Sequence, residues 1–240
     1  MGFRYLTGRL NQRVGAEAVS WWLSGGISET NCIAAYQPMG AENYETSKVN
    51  RANPGTYNAA DGLPPTWGID VGWDFVAAGT RTYLTTGITP ANDQTWSMIV
   101  RFTNAAQNGL TVCGSENTSG QGRFYLWARR GGTNNHRLYG NGGFFGGGVR
   151  VANGVIAVAG ASCYYNKGLD GTITTAWDVG AREIIIGAGN IGAGTSGILP
   201  VNYFDGKIQA WAVYNFDISP NINALTDAIN NLSNWSYTPI

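Results

Sequence analysis

The stretch YFDGKIQAWAVYNFDISPNINAL, Tyr203 to Leu225, decides the fold. Its first half, Lys207 to Tyr214, sets aromatic and β-branched residues among small ones and reads as a strand, with Trp211 and Val213 expected inside the domain. Its second half changes period. Ser219 suits a helix N-cap, Pro220 suits the first helical position, and Ile222, Leu225, Ile229 and Leu232 recur on one stripe. A single apolar stripe needs a single surface to cover it, so a helix over about 219–232 is expected to lie on a β-layer.

Working outward, short β-rich runs alternate with clusters of Gly, Asn, Pro and Thr from Cys32 onward, the rhythm of an all-β sandwich or barrel. In Thr95 to Phe102, Trp96, Met98, Val100 and Phe102 share one face and Ser97, Ile99 and Arg101 the other, which predicts one buried side. Further strands are expected over 123–129, 155–165 and 182–186, and Asn166-Lys167-Gly168 reads as a hairpin turn with Gly168 at positive φ. No helices separate the strands, which argues against a parallel α/β sheet, and no repeat of 20 to 50 residues suggests a solenoid or propeller. Residues 1–30 differ from the rest and read as an N-terminal arm, leaving 31–240 as one sandwich domain with its C-terminal helix.

The closing stretch resembles the end of laminin-G-like and concanavalin-A-like domains. In those domains an aromatic-Asp-Gly leads into the last core strand, an aromatic-Asn ends it and a short helix follows; Phe204-Asp205-Gly206, Tyr214-Asn215 and Ser219-Pro220 stand in those places. Upstream, IAAYQP (33–38) is similar to the opening strand and VNRANPGTYN (49–58) to the turn after it. GWDFVAAGTRTYLTTG (72–87) resembles a strand pair closing the first sheet, AVAGASCYYNKG (157–168) a hairpin, and REIIIGAG (182–189) a strand ending in Ile-Gly. The resemblance covers about residues 32–232 and implies an antiparallel jelly-roll β-sandwich. The short strings and the Gly/Asn/Thr-rich, charge-poor composition look like bacteriophage-associated members. That narrower resemblance implies a virion structural or decoration protein on a capsid or tail surface.

Composition excludes several classes. Charged residues are 12% of the chain, about half the usual share, and the 15 basic residues balance the 15 acidic ones. A nucleic-acid partner needs a basic face, so none is expected. The local excess Arg4, Arg9 and Arg13 reads either as a dock for an acidic partner or as a solvated leader. No apolar run approaches the roughly 18 residues of a membrane span, and no signal-peptide core opens the chain. Folding in the host cytoplasm is therefore expected. Cys32, Cys113 and Cys163 form an odd set without metal spacing and read as buried free thiols.

Catalytic chemistry is thin. Jelly-roll glucanases carry Glu-x-Asp-x-x-Glu because retaining hydrolysis needs an acid and a nucleophile close together. No such string occurs, and four of the six glutamates, Glu17, Glu29, Glu42 and Glu45, precede the main body. His136, the one histidine, stands in a Gly/Asn-rich stretch read as a loop, without a nucleophile motif. GAGNIG, 187–192, has dinucleotide-loop spacing, but Gly194, Gly197 and Pro200 forbid the helix that must follow, so it reads as an inter-strand loop. A non-enzymatic protein is expected.

Two regions remain as binding candidates. LYGNGGFFGGGV (138–149) reads as a loop in which Tyr139, Phe144 and Phe145 could form a subunit interface, pack locally or contact a glycan. Trp21 and Trp22 are either a docking anchor or an intramolecular tuck. Calcium is common among laminin-G-like relatives; Asn92, Asp93 and Asp170 are its candidates here, and no other cofactor is expected. Partners are expected to be other virion subunits or further copies of the chain. The alternative is a lectin-like module that adheres to glycans.

Overall fold

The computed structural model describes residues 20–91, 96–106, 111–116, 123–130, 135–140, 143–149, 152–173, 182–190 and 197–234, with backbone only for 123, 130, 135–140, 143–149 and 233–234. The strands in chain order are β1 (Cys32–Tyr36), β2 (Ala60–Leu63), β3 (Thr66–Gly68), β4 (Gly72–Phe75), β5 (Tyr83–Thr85) and β6 (Ser97–Thr103). β7 (Thr111–Glu116), β8 (Arg123–Arg130), β9 (Asn135–Gly140), β10 (Gly143–Val149), β11 (Gly154–Ala159) and β12 (Ser162–Tyr165) follow. β13 (Gly168–Thr172), β14 (Ile185–Ile186), β15 (Gly189–Asn190), β16 (Pro200–Val201) and β17 (Gly206–Tyr214) complete the set. Among the described residues there are two α-helices, α1 (Tyr44–Ser47) and α2 (Ile222–Asn230).

These strands form an antiparallel β-sandwich of the jelly-roll type. One sheet runs β13-β12-β11-β6-β17-β4-β3, with β1 beside the C-terminal half of β17. The other runs β10-β9-β8-β7-β14-β5-β2, with β15 next to β7 and β16 on β15. Between them lies a core of large rings: Tyr36 stacks on Trp211 at 5.4 Å, Trp73 meets Phe75 edge-on at 6.4 Å, and Phe75 contacts Phe204. Burial pushes the Cys113 thiol up to about 12, although Trp211 Nε1 donates to its sulfur at 3.1 Å. All three cysteines are buried and free.

The central strands are buried on both faces, beyond what alternation alone predicts. Trp96, Met98, Val100 and Phe102 do face the core, but Ser97 and Ile99 opposite them are also fully buried. A second apolar layer covers that side. It contains the expected stripe Ile222, Leu225, Ile229 and Leu232, joined by Trp21 and Ile27. Arg101, half-buried, donates from Nη1 to the carbonyl of Ile229 at 2.8 Å and so satisfies the open C-terminal end of α2.

Several local expectations are corrected. The run 155–165 is two strands, because Gly160 at φ 53 turns the chain between β11 and β12. In the Asn166 turn the left-handed residue is Asn166 at φ 53, not Gly168, since a short amide side chain tolerates that region. Gly72 to Gly87 is no strand pair: β4 belongs to one sheet and β5 to the other. The strand expected over 182–186 shrinks to Ile185–Ile186. Ser219 does not cap the helix by its side chain; Asp217 Oδ1 accepts from Ser219 N at 2.8 Å, and a 3-10 turn over Ser219–Asn221 precedes α2. The stretch 138–149 is a β-hairpin, His136 stands on β9, and Gly189–Asn190 of the glycine run forms β15.

Candidate functional site

The sites expected from sequence do not come together. Trp21 is buried and Trp22 half-buried, both against the outer layer of the first sheet, where the Trp22 carbonyl accepts from Tyr214 Oη at 3.1 Å. Tyr139 and Phe144 belong to the second sheet. There the register sets Tyr139 opposite Tyr125 and Phe144 opposite Tyr139. Phe145 pairs with Leu138, which pairs with the core residue Leu126, so register separates it from Phe144. Asn92 and Asp93 lie outside the described residues. Asp170 stands on the edge strand β13, and among the described residues no group of three or more metal-ligating side chains gathers anywhere.

A different place on the molecule is built like a binding site. The turn after β1, residues 49–58, is organised by one fully buried amide. Asn50 Oδ1 accepts from the N–H groups of Ala35, Ala52 and Asn53 at 3.0, 3.1 and 3.3 Å. Its Nδ2 donates to the carbonyls of Ile33 and Thr56 at 3.0 and 2.8 Å. Asn58 Oδ1 accepts from Asn50 N and Gly55 N, closing the loop on itself. A buried amide that uses five bonds fixes the surrounding backbone, because breaking any one strands a desolvated group.

This scaffold presents Tyr57. Its backbone sits at φ 57, a conformation costly for a bulky residue, and the residue is 44% exposed. Tyr36 Oη, rising from the core, donates to the Tyr57 carbonyl and holds it there. Tyr57 borders a groove of about 300 Å³ lined by Glu29, Thr30, Cys32, Ile33, Ala52 and Asn53. Burial pushes the Cys32 thiol far up, so it is an inert part of that wall.

Gly87 also adjoins the ring. A methyl group built there would stand 3.7 Å from Tyr57 Cδ1. Gly87 N donates to Glu183 Oε2 at 2.6 Å, and that is the carboxylate's one protein hydrogen bond among the described residues. Burial raises the Glu183 pKa while the Gly87 N–H opposes the rise. The residue is rigidly mounted: Asn190 Nδ2 donates to its carbonyl at 3.0 Å, and Thr86 Oγ1 donates to the carbonyl of Ile184 at 2.7 Å. Tyr57 thus shares a groove with Glu29, Thr30 and Asn53, and Gly87 beside it carries the bonded Glu183 carboxylate. Flat ring faces cover the apolar C–H surface of a pyranose or furanose, and amide and carboxylate oxygens accept from its hydroxyls.

No family model matches the chain, and no curated protein matches it. Among solved structures, the fold is similar to domain 4 of AbnA, a GH43 extracellular arabinanase from Geobacillus stearothermophilus, in complex with arabinotriose. That match has 14% identity over 84% of this chain and 100% of that one, with a TM-score of 0.53. The Ruminococcus gnavus IT-sialidase CBM40 matches at 15% identity over 55% of this chain and 82% of its own, TM-score 0.43. A Trypanosoma rangeli sialidase matches at 13% identity over 84% of this chain and 34% of its own, TM-score 0.49. At such identities the likeness to the arabinanase domain establishes a shared sandwich fold.

Proposed function

We propose that this chain is a non-catalytic glycan-binding module whose site is the groove beside Tyr57. The observation that carries the reading is Tyr57 itself, an exposed aromatic ring held in a strained backbone conformation by a loop with a fully bonded buried amide at its centre. Strain of that kind persists where the surroundings over-determine it, and it collects at ligand clamps. A pre-ordered loop loses little further entropy when a sugar docks. The arabinotriose complex of the similar arabinanase domain supports the same substrate class. The missing Glu-x-Asp-x-x-Glu string supports binding without turnover. A virion structural role rests on the sequence resemblance alone and draws no support from these neighbours.

The test is a glycan array followed by calorimetry on the wild type and Tyr57→Asn. Asn accepts the left-handed backbone, so the variant keeps the loop and loses only the ring. Expected is a saturable glycan signal that falls about tenfold or more in the variant, since loss of one stacked ring removes roughly 1 to 2 kcal/mol of contact. Equal binding by the variant would move the site elsewhere. Release of reducing sugar that disappears on changing Glu183 or Glu29 would make the protein an enzyme.

A further inference from the structure

The glycan reading of the groove leaves the chemical class of the sugar open, and the charges around Tyr57 bear on it. We infer that this rim takes neutral glycans and rejects acidic ones, because two carboxylates adjoin Tyr57: Glu29 lines the same groove, and Glu183 is bonded to Gly87 N beside the ring. The inference rests on the same groove as the proposed function.

The two carboxylates are mounted differently. Glu29 is exposed, in a 3-10 turn at the mouth of the groove. Glu183 is half-buried, with Oε2 accepting from Gly87 N. Carboxylate oxygens accept strongly from sugar hydroxyls, and this favours neutral polyols. A sialic or uronic acid brings a third negative charge into the same small volume, and unlike charges are needed to offset it. The cations nearby are engaged. Lys48 Nζ is held by Glu45 and Asp61, both at 3.1 Å, and the buried Arg182 donates from Nη1 to the Gly197 carbonyl at 3.0 Å. Arg51, on the loop, is half-buried, and its backbone N–H donates to the Ala35 carbonyl at 2.8 Å.

The experiment uses matched glycans that differ by one acidic residue: lactose with 3′-sialyllactose, and neutral arabino- and xylo-oligosaccharides with their glucuronate-bearing counterparts. Each pair is measured at low and at physiological salt on the wild type, Tyr57→Asn, Glu29→Gln/Glu183→Gln and Arg51→Gln. Expected is Tyr57-dependent binding of at least one neutral glycan and about tenfold or weaker binding of its acidic partner. The gap should be widest at low salt and should shrink to about twofold in the double Gln variant, as removal of unscreened like charge requires. Acidic glycans that bind as well as neutral ones through Tyr57, or better ones lost in Arg51→Gln, would overturn the charge rule and leave glycan binding intact. Binding by no glycan, or binding indifferent to Tyr57→Asn, would overturn both readings.

Discussion

The two faces of β17 are filled by opposite kinds of residue. Toward the second sheet it presents Ile208, Trp211 and Val213; toward the outer layer it presents Ala210, Ala212 and Tyr214. A bulge between Ile208 and Ala210, where Gln209 is the extra residue, resets the alternation so that Ile208 and Trp211 can share the inner face. Sheets stack about 10 Å apart, and rings are needed to span that gap. On the outer face α2 and Trp21 come close, and alanines on β17 and β11 make room: Ala210 and Ala212 on one, Ala157 and Ala159 on the other. Side-chain size on a strand is therefore chosen by what lies opposite, not by burial, which is complete on both faces.

The largest way to break this contrast is Trp211→Ala. Its ring stacks on Tyr36 and its Nε1 donates to Cys113, so truncation is expected to cost about 3 to 5 kcal/mol in chemical denaturation. A midpoint close to wild type would mean that the inner face collapses without loss.

Trp21→Ala probes the outer layer and should cost less. Its buried Nε1 has no hydrogen-bond partner among the described residues, a penalty of about 1 to 3 kcal/mol that truncation relieves, leaving a net loss of about 2. Trp21→Phe, which drops the orphan donor and keeps a ring, should melt within a few degrees of wild type. Ala212→Leu adds volume where the helix lies close, and about 1 to 2 kcal/mol is expected from overpacking, with α2 able to shift outward. If Ala212→Leu stabilised the fold, the outer layer would be loosely filled and the contrast between faces would weaken.

The smallest effect concerns Glu183. Burial raises its pKa in the folded state, so the native protein holds that proton more tightly than the unfolded chain does. The favourable contribution is complete below the unfolded value and is lost as pH rises through the raised folded value. Glu183→Gln should therefore gain on wild type in melting temperature as pH rises from the ordinary carboxylate range toward neutrality. A difference that stays flat across that range would show that the carboxylate is not desolvated.

Much of the sandwich was legible in the chain. The alternation of Trp96, Met98, Val100 and Phe102 and the helical stripe from Ile222 to Leu232 are local patterns, and both side-chain sets are buried where the pattern puts them. The site was not legible. The string VNRANPGTYN reads as a turn, and it is one, but nothing in it shows that Asn50 is fully buried or that Tyr57 is exposed. The available signal was the loop itself: three asparagines with Pro and Gly around one aromatic. The stretch 138–149 stood out instead because its rings are adjacent in sequence, yet Phe144 and Phe145 occupy successive positions of β10, and successive positions of a strand alternate between faces.

By itself the sequence determined what depends on near neighbours: the strand and helix periods, the turn residues, the closing Phe204-Asp205-Gly206 and the small number of charges. Tertiary structure decided what depends on pairings between distant segments. It placed β4 and β5 in different sheets and gave β17 and β6 a second buried face. It also brought Tyr57, Gly87 and Glu183 to one rim, because β14 pairs with β5 and carries Glu183 beside Gly87, 96 positions away in the chain. No local period encodes such a pairing; it is set by which combination of sheets buries all the apolar faces at once.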